Sequence, residues 1–162
     1  MATAYILVGV PGSGKSWYAA NVLAKQHPNA VYISTDQYVD AYALGLGKTY
    51  SEVFNQVMPR AIQHMIDAVI LATTRKQDII WDQTSTTINS RRKKFNMLHK
   101  YNMVAIMFET PPPAELAHRL TNRPNKIIPP TVIQTMISNF ELPTKSEGFS
   151  EIIVIPWAPL DF

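Results

Sequence analysis

The chain contains no cysteine. No disulfide framework and no thiolate metal site can form, so the fold must rest on its apolar core, and the absence suits a reducing compartment. Long hydrophobic runs are also missing: the longest, "AVILA" at 68–72, is far short of the roughly 20 residues a helical membrane span needs. The apolar start "MATAYILVGV" has no basic region before it and leads into a glycine-rich turn instead of a small-residue cleavage site, so it reads as a strand and not as a signal peptide. These absences together predict a cytoplasmic protein with no membrane partner. The four histidines have no metal-ligand spacing. No repeat, low-complexity tract or domain linker interrupts the chain.

What is present fits one globular domain over residues 1–162, with 46% hydrophobic and 17% charged residues. A domain of this size buries roughly 70% of the surface its unfolded chain exposes. The net charge of +3, with a pI near 9.2, favours a polyanionic ligand such as a nucleotide or nucleic acid without requiring one. Five apolar stretches, at 4–10, 30–34, 78–82, 103–109 and 151–156, lack alternation and suit strands buried on both faces of a parallel sheet. Helical segments are expected at 15–26, about 50–75, about 89–101, 113–121 and 131–140. Such alternation implies an α/β fold, a doubly wound, mostly parallel sheet of about five strands with helices on both faces. Pro59 predicts a kink or break in the long helix. "QYVDAYALGLGKT", with Gly45 and Gly47, reads as a mobile connection.

The strongest motif is "GVPGSGKS", Gly9 to Ser16, a full match to the P-loop pattern in the strand–loop–helix context that pattern requires. Gly9, Gly12, Ser13 and Gly14 would turn backbone N–H groups onto phosphate oxygens, and the following helix presents its positive end. Lys15 would reach the β and γ phosphates of ATP, and Ser16 would ligate Mg²⁺. The loop assigns nucleotide binding and leaves the reaction open.

Ligands of a doubly wound sheet sit beyond the carboxyl ends of its strands. Asp36 follows the second strand there, in "STDQY", and Asp82 ends the third. Asp36 either caps a turn or accepts a proton from a hydroxyl attacking the γ-phosphate. Asp82 either caps the "QTSTT" loop or helps hold Mg²⁺. Arg119, late in a helix, and Arg123, in a proline-flanked segment, are solvated or close over the triphosphate as parts of a mobile lid at about 119–130. "RRKK" at 91–94 reads as a solvated helix face, with Arg91 or Arg92 available to an anionic substrate. Tyr38, Tyr42, Tyr50 and Phe54 are core aromatics or stack on bases.

"GVPGSGKS", Asp36, "WDQTS" and "HRLTNRPNK", with the tail "IIPPTVIQTMISNFELPTKSEGFSEIIVIP", together resemble the kinase domains of the polynucleotide 5′-hydroxyl kinase family, phage and animal members alike. The resemblance covers nearly the whole chain in consistent order. It implies Mg²⁺-dependent transfer of the γ-phosphate of ATP to a 5′-hydroxyl of DNA or RNA. By position, Lys15 and Ser16 serve triphosphate and metal, Asp36 activates the hydroxyl, Arg123 is similar to a lid arginine, Arg119 to a second basic residue before it, and Asp82 to an acid on the acceptor side. Two departures stand out. Thr35 and Val39 occupy positions where the phage pattern usually has arginine, the latter touching the acceptor's neighbouring phosphate, and Lys48, Arg91 and Arg92 are the candidates to replace it. No phosphatase signature occurs, which predicts no 3′-phosphatase activity. A kinase for a small hydroxylated molecule, and a switch protein that only hydrolyses ATP, are the rival classes.

Overall fold

The computed structural model describes residues 1–124 and 126–159. Five strands, β1 (Thr3–Val8), β2 (Val31–Ile33), β3 (Ile79–Trp81), β4 (Asn102–Phe108) and β5 (Glu151–Ile155), form one sheet in the order β2-β3-β1-β4-β5. Every pairing is parallel, with Ile6 of β1 flanked by Trp81 of β3 and Ala105 of β4. The expected α/β architecture is present, though the expected strand at 4–10 stops at Val8, so Gly9 and Val10 belong to the loop.

Side chains alternate across the pleat. Ala4, Ile6 and Val8 enter one apolar cluster with Ile79, Trp81, Val69 and Ala72, while Leu7, Ile80 and Ile106 enter a second with Ala19 and Leu23. The second cluster is covered by the helical run after the P-loop: α1 (Lys15–Tyr18), a π-wound turn at Ala19–Leu23, and α2 (Ala24–Gln26).

One expectation fails between β2 and β3. The stretch expected to be a mobile connection is largely α3 (Thr35–Gly45). Thr35, Val39 and Ala43 recur every four residues and form a buried stripe, and Val39 and Ala43 pack on Tyr50, Val53, Val57 and Ala61 of α4 (Tyr50–Thr74). The glycines lie at and beyond the end of α3, where Gly47 takes a φ of +65°. Of the kink or break expected at Pro59, a break is absent, since α4 runs as one helix through it. Pro59 and Asn55, whose carbonyl loses its amide partner, both lie on the exposed face, where water can satisfy that oxygen. α4 starts at a reciprocal capping box between Thr49 and Glu52. Its first half packs on α3, and its second half sends Val69 and Ala72 to the sheet.

The remaining helices are α5 (Ile88–Met97), α6 (Pro113–Thr121) and α7 (Pro130–Ser138), the last two entered through proline in their first turn. Among the described residues no helix is long and apolar enough to cross a membrane. β1 leads to the left of the sheet as ordered above, and β3 leads to the right. The carboxyl ends of these adjacent strands therefore bracket the topological switch point, the place where ligands bind in this architecture.

Candidate functional site

The loop after β1 is shaped by two glycines in the left-handed region, Gly12 at φ +84° and Gly14 at φ +97°. A Cβ on Gly12 would stand 3.0 Å from Leu116 Cδ1, whereas one on Gly14 would meet nothing within 4 Å. Gly14 thus combines a backbone conformation that excludes side chains with open space beside it. The Ser13 hydroxyl is buried without a hydrogen-bond partner among the described residues, so the loop holds an unanswered polar atom. Both features suit a cradle for phosphate oxygens.

Lys15 is buried, and its ammonium donates to the Val10 carbonyl at 3.0 Å. Burial pushes its amine down to about 8, with Asp82 opposing this and Arg123 adding to it. A polyphosphate beside it would raise the value again. Ser16 Oγ donates to Asp82 Oδ2 at 2.8 Å, and the Tyr32 hydroxyl donates to the same oxygen. Asp82, buried at the end of β3, therefore faces the first residues of α1. Among the described residues no three His, Cys, Asp or Glu side chains cluster to hold a metal. One hydroxyl and one carboxylate are a hard-oxygen pair that fits Mg²⁺, which keeps most of its coordination for water and substrate phosphates.

Asp36 sits in the first turn of α3, whose N-cap is Ser34. Its Oδ1 accepts from the Tyr50 hydroxyl at 2.6 Å and its Oδ2 from Lys126 Nζ at 2.8 Å. The carboxylate side chain still keeps 51% exposure, while that of Lys126 has 11%. Burial alone would push the Asp36 carboxyl up, but the charge and hydrogen bond of Lys126, the Tyr50 hydroxyl and the charge of Arg123 together hold it below the ordinary aspartate value. Burial first, then the hydrogen bond to Asp36 and the charges of Asp36 and Asp40, push the Tyr50 phenol up, with Arg123 opposing them.

These groups share one cavity of about 1200 Å³. Gly12, Gly14, Lys15, Ser16, Asp36, Asp82, Arg119 and Arg123 all line it, so most of the residues singled out in the sequence converge. Arg119 is committed within the protein, to Glu115 at 2.8 Å, the Gly12 carbonyl at 3.1 Å and the Ala158 carbonyl at 2.6 Å. Beyond Asp36 the wall turns apolar: Tyr50, Phe54, Met58 and Ile62 from α4 stand with Val132 and Met136 of α7. Phe54 is exposed in that wall, whereas Tyr50 is buried in the α3–α4 core, which Tyr38 and Tyr42 flank.

Three candidate replacements for the cation missing at position 39 lie elsewhere. Arg91 is fully buried and bonded to Glu147 and the Ser85 carbonyl, which corrects its assignment to an anionic substrate. Arg92 and Lys48 are exposed and do not line the cavity. Val39 itself is buried against α4, so no side chain at that position faces the acceptor. The "RRKK" run is solvated only in part: Arg92 and Lys93 are exposed, while Lys94 is buried along with Arg91. The cation beside Asp36 is Lys126, which sequence reasoning passed over. Its signal was its place three residues after Arg123 in "NRPNK". Asn125, inside the expected lid, lies outside the described residues.

A family model described as an AAA domain matches residues 5–143. A bifunctional polynucleotide phosphatase/kinase of Schizosaccharomyces pombe is 24% identical over 157 residues, 94% of this chain and 33% of the relative, so the chain spans about a third of that protein's length. Among solved structures, a candidate kinase from Chloroflexus aurantiacus j-10-fl superposes with a TM-score of 0.72 at 16% identity, covering 96% of this chain and 88% of that one. A chain of the Pnkp1/Rnl/Hen1 RNA repair complex gives 0.66 at 23%, covering 85% and 43%. A gluconokinase from Sinorhizobium meliloti 1021 gives 0.56 at 16%, covering 98% and 84%. At these identities the structural likeness concerns the fold.

Proposed function

The chain belongs to the AAA-domain family, and we propose that it is a P-loop kinase that transfers the γ-phosphate of ATP to the 5′-hydroxyl of DNA or RNA, as a nucleic-acid end-processing enzyme. The observation that carries this reading is a half-exposed, ionised carboxylate, Asp36, in the same cavity as the P-loop lysine. The likeness to a polynucleotide phosphatase/kinase over 94% of the chain supports a nucleic-acid acceptor.

In this mechanism the P-loop amides and Lys15 hold the β and γ phosphates of ATP. Asp36 accepts the proton of the acceptor hydroxyl as its oxygen bonds to the γ-phosphorus, and the bond to the β–γ bridging oxygen breaks to release ADP. Arg123 adds positive charge where the transferred group carries negative charge. Ser16 and Asp82 would hold Mg²⁺, which when bound supplies neutralisation of the phosphate charges.

The test is labelled γ-phosphate transfer to 5′-hydroxyl oligonucleotides of DNA and RNA. Failure on every oligonucleotide tried overturns the proposed acceptor. The apolar wall of Phe54, Met58, Ile62, Val132 and Met136 favours a second reading, a small hydroxylated acceptor such as a nucleoside. Competition between oligonucleotide and nucleoside separates the two, and only the polyanionic acceptor should lose affinity steeply with salt.

A further inference from the structure

We propose that Lys126 is a positioning residue for phosphoryl transfer: with Tyr50 it fixes the Asp36 carboxylate toward the cavity, and its ion pair latches the α6–α7 segment down over α3 and α4. This deepens the kinase reading given above and rests on it for its kinetic part.

The contacts of two consecutive residues carry the inference. Lys126 Nζ is 2.8 Å from Asp36 Oδ2 and 4.1 Å from the Tyr50 ring centroid. The Ile127 amide donates to Ser51 Oγ at 3.1 Å. The segment after Arg123 is thus tied to the first turn of α3 by a charge and to the first turn of α4 by a hydrogen bond, and the ammonium sits over the face of the same tyrosine whose hydroxyl binds the same carboxylate. Asp36, Tyr50 and Lys126 form a closed triangle, and each member restricts the other two.

The asymmetry of exposure gives the triangle its function. Lys126 is nearly buried while half of the Asp36 side chain is open. An ionised carboxylate has about four lone-pair sites, and the triangle engages two, so a hydroxyl can approach Asp36 with the latch in place. The groups facing Asp36 are Lys126 and Arg123 from the α6–α7 segment, Tyr50 from α4, Asp40 from its own helix and Lys15 from the P-loop. Lys126 alone among the three cations contacts it within hydrogen-bond distance. The cation beside Asp36 thus comes from the α6–α7 segment and not from α3 itself. The contact that ties the segment to α3 also helps to hold the Asp36 carboxyl below its ordinary value.

The experiment compares Lys126→Ala, Lys126→Arg and Asp36→Asn with the parent. Hydrogen exchange at the Ile127 amide, measured without substrate, should speed up in K126A and D36N and stay near the parent in K126R. In kinetics, K126A should lower kcat by about 10- to 100-fold with ATP binding within about two-fold of the parent, move the acid limb of the pH profile upward, and be rescued by K126R. Unchanged Ile127 exchange in K126A overturns the latch, and an unchanged kcat and acid limb overturn the positioning role. If the parent phosphorylates no acceptor, the proposed function fails while the exchange measurement still decides the latch.

Discussion

Ser16 Oγ lies 2.8 Å from Asp82 Oδ2, joining the start of the helix after β1 to the end of β3 across 66 residues of sequence. The bond closes the switch-point crevice from both sides. The adjacency of β1 and β3 brings the two side chains together, so the strand order builds the pair proposed to hold Mg²⁺.

That pair gives the first prediction. Ser16→Ala removes one hard-oxygen donor and leaves the phosphate-binding backbone alone. The Mg²⁺ concentration needed for half-maximal transfer should rise several-fold, while metal-free ATP binding changes little, as read by a metal titration of activity beside a nucleotide-binding curve. Equal shifts in both would assign Ser16 to nucleotide binding alone.

The P-loop was legible because its chemistry is contiguous: eight consecutive residues hold the glycines, the lysine and the hydroxyl. Asp36 and Asp82 were legible because strand ends in an α/β fold point to one edge. Lys126 was not, since its partner is 90 residues away and no periodic pattern reports a loop folding back onto a helix. Arg91 was misread for a related reason. Charge runs usually face water, and its acid, Glu147, lies 56 residues further on. α3 was missed because its glycines and polar residues masked a stripe of Thr35, Val39 and Ala43 that makes sense only once α4 is beside it.

Asp36→Asn keeps the shape of the side chain and removes the proton acceptor. Transfer should fall roughly 10²-fold or more while ATP binding persists. In the parent, the depressed carboxyl pKa means the base stays ionised as pH drops through the ordinary aspartate range. The acid limb of the rate should therefore lie below that range, and the ion pair with Lys126 should weaken only as pH falls through the same lowered value. Near-normal turnover of D36N would remove Asp36 from catalysis.

Arg91 and Glu147 form a two-pronged pair at 2.8 and 3.2 Å, with no exposure of the arginine side chain and 9% of the glutamate's. Arg91 Nη1 also donates to the carbonyl of Ser85, which holds a φ of +48°. Arg91→Met should cost about 3–5 kcal/mol in urea denaturation, because it strands a nearly buried carboxylate and a backbone acceptor. Replacing both partners by apolar residues should recover much of that loss. Burial would raise the Glu147 carboxyl, but hydrogen bonds from Arg91 and Thr144 hold it below the usual value. The pair's contribution is thus present above the ordinary glutamate pKa and lost as pH falls through the lowered one.

Lys94 has the opposite sign. It is buried, with its ammonium 5.1 Å from the Trp81 ring centroid and no salt bridge among the described residues. Burial, then the charges of Lys93 and Arg91, push its amine down to about 8. Below pH 8 both folded and unfolded chains carry this charge, and the folded state bears the full desolvation cost. Between about 8 and the ordinary lysine value near 10.4 the unfolded chain binds the extra proton, so parent stability rises with pH across that window. Lys94→Met keeps an unbranched side chain, one heavy atom shorter, and removes the charge. At pH 7 it should stabilise the protein by about 2 kcal/mol, the desolvation gain less a cation–π contact worth about 1 kcal/mol. The advantage should shrink as pH climbs toward 10, where the parent lysine is already neutral in the fold. Denaturation of both proteins at pH 7 and pH 9.5 measures the difference, and a constant gap would show that Lys94 stays charged in the folded protein.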